Sequence, residues 1–478
     1  MKRSASLRIS SLALAAGLGL SACGAASTTG TTAAAVTTAA SSSAVASTTT
    51  AASSAASTAA VTASTSGTTA AAPGGTGGGG STQATAYGTQ VVGSGTSSAS
   101  GRTYTASAKD TSGVLVTGGS LTLTDATVKT TGSSSSSDQS SFYGLDAGVL
   151  AKGGSLALSG GSVATTGDGA NGVFAYGSGT VVTLDGTTVT ATGKYAHGIM
   201  ASGSGTIKAT DVTASTTGSN GAVIATDRGG GTIAVDGGTY SSAGTDSPGI
   251  YSTGTITVKG ATVKATGAEA AVIEGSNSIA LTDTSLGGAK KAGVMIYQSF
   301  SGDASGSTGT FTMTGGSLSA AAGPLFLVTN ATGVITLSGV TASETSGILL
   351  QAAAGQWGTS GSNGGTATVT AVGQKLTGSV VADKISSVTL KLTKASTWTG
   401  AIDTANTAKV AAVSLDATSS WTVTADSYVT SLTGAVISGS TVTNIVGNGH
   451  TVHYDAATST ALGGKTYTLS GGGTLSPA

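Results

Sequence analysis

The feature that most constrains this chain is an internal repeat of short strands. Gly119–Asp125, Gly154–Gly160, Gly231–Asp236, Gly254–Lys259 and Ser276–Asp283 each alternate aliphatic with small polar side chains, the period-two pattern of a strand with one buried face. A second strand follows, ending in Thr-Gly or a close variant, as in Ala126–Gly132, Ser162–Gly167, Thr187–Gly193 and Ala261–Gly267. A third segment then reads small or polar residue, glycine, aliphatic: Asn171-Gly172-Val173, His197-Gly198-Ile199, Pro248-Gly249-Ile250, Ser346-Gly347-Ile348. Units recur at about 23 to 26 residues, lengthening to about 32 or more where Ser133–Ser141 and Ser301–Thr308 are inserted. Three strands per unit make a triangular coil. The expected fold class is therefore all-β, a right-handed parallel β-helix in which each strand pairs with its equivalent in the next coil. With coils about 4.8 Å apart, some 13 coils between about residues 100 and 460 give a rod on the order of 60 Å long.

Aligning the second strands puts Val128, Val163, Val189, Val212, Tyr240, Val263 and Leu286 at one inward position, which predicts a stacked aliphatic column. Composition agrees with a small-residue repeat: of 478 residues 77 are Gly, while charged residues make up only 8% and aromatics 4%. A disordered chain of this Gly content would ordinarily carry more charge and less hydrophobicity. Twenty basic and twenty acidic residues cancel, leaving no field to attract nucleic acid. In the C-terminal third, Trp398 and Trp421 sit one coil apart, which predicts variant coils of the same helix. His450–Tyr454 and Lys465–Leu469 alternate around a Gly-rich turn and are expected to fold over the last coil, because an open parallel end offers unpaired backbone groups to other chains.

The N-terminus reads differently. Lys2, Arg3 and Arg8 precede an apolar run from Ile9 to Leu20, too short for a comfortable membrane span of about 20 residues and typical of an export signal. The run ends in Leu20-Ser21-Ala22-Cys23, which resembles the bacterial lipobox. That resemblance implies diacylglycerol on the Cys23 sulfur, cleavage before it, and, with Gly24 next, an outer-membrane or outward-facing destination. Cys23 is the single cysteine, so it has no disulfide partner within the chain. The expected organisation is a signal peptide at 1–22, a lipidated cysteine with a disordered Ser/Thr/Ala/Gly tether at 23–81, a β-helix at 82–380, and variant coils with a C-terminal cap at 381–478.

From about residue 100 to 478 the repeats resemble bacterial pectin-lyase-like β-helix surface proteins, including adhesin-like and autotransporter-passenger repeats. No translocation barrel follows, which leaves Cys23 to do the anchoring. The resemblance implies an architecture and not one activity, since this fold serves lyases, hydrolases, adhesins and structural rods.

Five acidic residues, Asp125, Asp185, Asp211, Asp236 and Asp283, fall at the first corner of their coils. They are expected to accept backbone hydrogen bonds there rather than to hold a metal, and the sequence offers no His/Cys ligand spacing. The corner between second and third strands collects Asp168, Asn171, Lys194, Tyr195, His197, Asn220, Asp246, Glu269, Lys290 and Lys291. Of these, Tyr195, His197, Asp168 and Asp246 are candidate ligand-binding residues. Outward Thr131, Thr166, Thr192 and Thr266 suggest a flat hydroxyl array, interrupted by Lys129, Lys264 and Ala243. Tyr143, Tyr176, Tyr195, Tyr251 and Tyr297 are either sugar-stacking handles or packing. The expectation is a lipid-anchored surface rod that binds a polysaccharide or cell-surface ligand, with no catalytic residue, cofactor or metal. The alternative is a polysaccharide lyase or glycoside hydrolase, which in the second case needs two carboxyls about 5 to 9.5 Å apart.

Overall fold

In the computed structural model, which describes residues 83–478, the repeat closes into a right-handed parallel β-helix of about 16 turns. The count exceeds 13 because coiling begins at Tyr87, ahead of the first legible repeat, and continues to Pro477. Cys23 and the segments 1–22 and 23–81 lie outside the described residues.

Each coil contributes one strand to each of three parallel sheets, named here in the order the repeat was read. The first sheet runs over 14 strands from Thr96–Ser100 to Ser431–Thr433. The second holds ten and gives way after Thr341–Glu344 to a fourth sheet that starts at Lys375–Thr377. The third, which ends each repeat unit, holds 12. Equivalent strands pair in register, so like residues stack: Leu156, Val182, Ile207, Ile233, Ile256 and Ile279 form one inward column of the first sheet. These columns are the core, and every member of that one is buried.

The second-sheet column differs from expectation at one place. Ala214, not Val212, pairs with Val189 on one side and Tyr240 on the other. Val212 is buried two residues earlier, at the first corner. The stretch Val212-Thr213-Ala214 offers an aliphatic at both positions, and a slip of two keeps the same face inward.

The corner aspartates also depart from expectation. Asp125, Asp211 and Asp283 are left-handed, with φ of 49°, 49° and 47°, whereas Asp185 and Asp236 end their strands one position earlier and leave that conformation to Gly186 and Gly237. No side chain of the five accepts a backbone hydrogen bond among the described residues. Asp tolerates the left-handed turn, and its carboxylate lies over the next coil. A Cβ at Gly160, Gly237 or Gly315 would meet the Oδ1 of Asp125, Asp211 or Asp283 at 2.3, 2.2 and 2.1 Å.

Near the C-terminus Trp398 pairs with Trp421, their rings stacked at 4.9 Å and 16°, and each Nε1–H donates at 2.9 Å to a carbonyl, of Gly378 and Gly400 respectively. Thr451–Tyr454 does not cap the rod: it stacks in parallel on Ser427–Val429 as another coil strand. The cap is the pair Tyr467–Ser470 and Thr474–Pro477, which turn antiparallel against each other and close the end.

Over its middle strands, from Val149–Ala151 to Ile224–Thr226, the third sheet is buried on both faces, unlike the other two. Its outer side carries the apolar column Leu115, Leu150, Phe174, Met200 and Ala225. Two insertions roof this column. One carries the helix Ser137–Tyr143, capped by Ser136, whose Oγ accepts from Gln139 N, and ended by Gly144 at φ 72°. The other is the loop between Val294–Tyr297 and Thr308–Thr314.

Candidate functional site

At the second corner the structure stacks the sequence-derived candidates along the rod instead of gathering them. Asp168 Oδ1 accepts from Lys194 N at 2.9 Å, one coil on. Tyr195 sits in the left-handed region at φ 57° and is 38% exposed. His197 is held from below by Asn171, whose Oδ1 accepts from His197 N at 2.8 Å and faces Nδ1 at 3.0 Å. Because Asn171 Nδ2 already donates to Ser140 O, its Oδ1 is the acceptor, and the proton of the neutral imidazole belongs on Nδ1. Burial pushes His197 down to about 4, so it is neutral at physiological pH. Asp246 lies two coils beyond Tyr195 and pairs with Lys291 Nζ. This corner fixes backbone and side chains, and it spreads the four candidates along successive coils.

A denser constellation lies on the outer face of the third sheet. Beside the apolar column runs a polar one, which includes Lys152, Tyr176, Ser202, Asp227, Thr253, Glu274, Tyr297 and Thr329 on successive coils. Glu274 is 1% exposed and its carboxylate is saturated: Oε2 accepts from the phenols of Tyr251 and Tyr297, and Oε1 from Ser299 Oγ and Ser301 Oγ. Tyr251 and Tyr297 hydroxyls are themselves 3.1 Å apart. Burial and the Glu274 charge push both phenols well above the usual range; the Tyr297 phenol adds to the shift of Tyr251, whereas the hydrogen bond with Tyr251 opposes that of Tyr297.

Asp227 and Arg228 join the two halves of the roof. Asp227 Oδ2 accepts from Ser141 Oγ at 2.5 Å, on the helix, and Oδ1 from Arg228 N at 2.7 Å. The Arg228 guanidinium lies 3.8 Å over the Phe142 ring and pairs at 2.7 Å with Asp303 of the other loop. Desolvation, opposed by the Ser141 hydrogen bond and reinforced by the Asp303 charge, raises Asp227 to about 7. Further along, Lys152 lies 5.6 Å over the Tyr176 ring and burial lowers it to about 8.

Of the five tyrosines singled out in the sequence, four meet at this roofed face. Tyr143 packs edge-on to Tyr176 at 5.3 Å, Tyr297 packs against Trp357 at 4.6 Å, and Tyr251 binds Glu274. Asp227 and Glu274 escaped sequence reasoning. The available signal was the unbroken apolarity of segments such as Val173-Phe174-Ala175-Tyr176 and Val294-Met295-Ile296-Tyr297, which marks a strand buried on both faces and hence a cover. No protein-family model matches this chain, and no curated protein matches it either.

Proposed function

We propose that this chain is an exported bacterial surface rod, lipid-anchored through Cys23, that holds a polysaccharide against its flat lateral faces without covalent chemistry. The observation that carries this reading is the continuity of the hydroxyl columns on the exposed faces. Thr188, Thr213, Thr239 and Thr262 stack outward on the second sheet, beside Thr190, Ser215 and Ser241. Thr206, Thr232, Thr255, Ser278 and Thr310 do so on the first. Rows of hydroxyls about 4.8 Å apart and free of net charge suit a neutral polyol polymer lying along the rod. The carboxylates of Asp227 and Glu274 are engaged, by Ser141 and by Tyr251, Tyr297 and Ser299 respectively, in holding the roof. The test is retention of intact polysaccharides from a panel by the full chain, with products assayed with and without calcium. Saturable retention without turnover is expected, reduced when Thr213 and Thr239 are replaced by bulky Lys; absence of retention on every polymer sinks the binding reading.

A second reading, a glycoside hydrolase acting beneath the roof, is favoured by one observation. Asp227 and Glu274 occupy the same outward column two coils apart, roughly 9.5 Å along the rod, which is near the upper end for an inverting pair. Thr253 lies between them with a buried hydroxyl that has no partner. Turnover that disappears in both Asp227→Asn and Glu274→Gln, but survives in His197→Ala, selects this reading over the first and over an active site at the second corner.

A further inference from the structure

Lys291, Asp246 and Glu269 come from three successive second corners. Lys291 Nζ crosses the intervening coil to Asp246 Oδ1 at 2.5 Å and lies 3.8 Å from Glu269 Oε1. Both ends stand on tight corners, with Asp246 and Lys291 in the left-handed region at φ 55° and 60°. Glu269 is 6% exposed between the fully buried Ala268 and Ala270, and its own coil is hydrogen-bonded on both sides, Gly249 N donating to Glu269 O and Lys290 N to Ala268 O. Two groups that can condense are thus fixed at contact distance beside a third that can carry a proton, an arrangement in which proximity replaces an encounter.

We propose that Lys291 and Asp246 are joined by an intramolecular amide bond formed autocatalytically, with Glu269 as the proton carrier. Proton transfer within the ion pair gives the free amine and the carboxylic acid. The Nζ lone pair attacks Asp246 Cγ and the C–N bond forms; Glu269 takes the proton released from nitrogen and returns it to the departing hydroxyl. The Cγ–O bond breaks and one water leaves, so the reaction needs no oxidant, cofactor or activated donor. Burial raises Glu269 above the usual carboxylate range, the direction that favours a group able to hold and return a proton. The product is a covalent clasp across three coils, placed where the parallel stack would otherwise part by breaking hydrogen bonds alone.

The experiment is peptide mapping of the full chain by mass spectrometry. The native protein is expected to yield a branched peptide containing both Asp246 and Lys291, lighter than the sum of its two arms by one water. Lys291→Arg and Asp246→Ala should each return two linear peptides. Glu269→Gln, which keeps both reacting groups, should do the same while retaining the native circular dichroism spectrum. Linear peptides with unmodified Lys291 and Asp246 from the native protein overturn the bond. A branched peptide in equal yield from Glu269→Gln overturns the role given to Glu269.

Discussion

A left-handed Asp at the first corner dictates what the next coil carries. Asp125, Asp211 and Asp283 are each followed one coil later by a Gly-Gly pair, Gly160-Gly161, Gly237-Gly238 and Gly315-Gly316, whose first member has the carboxylate against it and whose second lies on backbone. Gly315→Ala therefore meets both a φ of 66° and the Asp283 carboxylate. It should cost roughly 1–3 kcal/mol by denaturant titration, and Asp283→Gly in the same chain should recover the steric part, leaving the backbone strain. A second residue-scale expectation concerns Asp227. Its folded value of about 7 lies above the unfolded 3.8, so the folded state binds more protons between those limits and stability falls as pH rises from about 4 to 7. Asp227→Asn removes that dependence. Stability measured across pH should show the two proteins converging near pH 4, with the variant more stable by roughly a few kcal/mol above pH 7; parallel curves contradict the assignment. These residues also mark the limit of what the sequence made legible. Which face turns inward follows from alternation, which stacks Leu156 on Val182, but alternation leaves a slip of two open, as Val212 and Ala214 show. Asp227 binds Ser141, 86 positions away, and no local pattern encodes a partner supplied by an insertion folding back over three coils.

At the scale of elements, the Trp398–Trp421 pair anchors the region where the repeat loses its motif. Each indole fills the column and satisfies a carbonyl at the corner, so Trp398→Ala should cost about 3–5 kcal/mol. Trp398→Phe, which keeps an aromatic ring but leaves the Gly378 carbonyl without its donor, should cost about 1–3 kcal/mol; thermal unfolding followed on both variants distinguishes packing from hydrogen bonding. The roof makes a complementary case. Its anchor Arg228 reaches an aromatic ring on one insertion and a carboxylate on the other. The repeat spacing located both insertions as departures from the period, yet gave no hint that they converge, since loop length says where chain is added and not which face it covers.

For the whole molecule, each coil touches mainly its neighbours, so stability accumulates along one dimension and its ends are the weak points. The C-terminal end is closed by the antiparallel pair Tyr467–Ser470 and Thr474–Pro477. Removing residues 465–478 uncovers the edges of Thr441–Val446 and Thr451–Tyr454, which now pair with that cap. The truncated protein should associate in a concentration-dependent way, visible by light scattering, while its circular dichroism stays that of parallel sheet. A truncated rod that remains monomeric at all concentrations shows that the hairpin is dispensable for closure.

The three tryptophans give the rod a spectroscopic consequence. Trp398 and Trp421 lie nearly parallel at contact, close enough for their transition dipoles to couple, so the C-terminal coils carry an optical signature that vanishes once those two coils separate. Trp357 belongs to the loop over Tyr297 and stands apart from that pair. Near-ultraviolet dichroism thus reads the end of the rod, and the part of the emission that is lost in Trp357→Phe reads the loop packed on Tyr297.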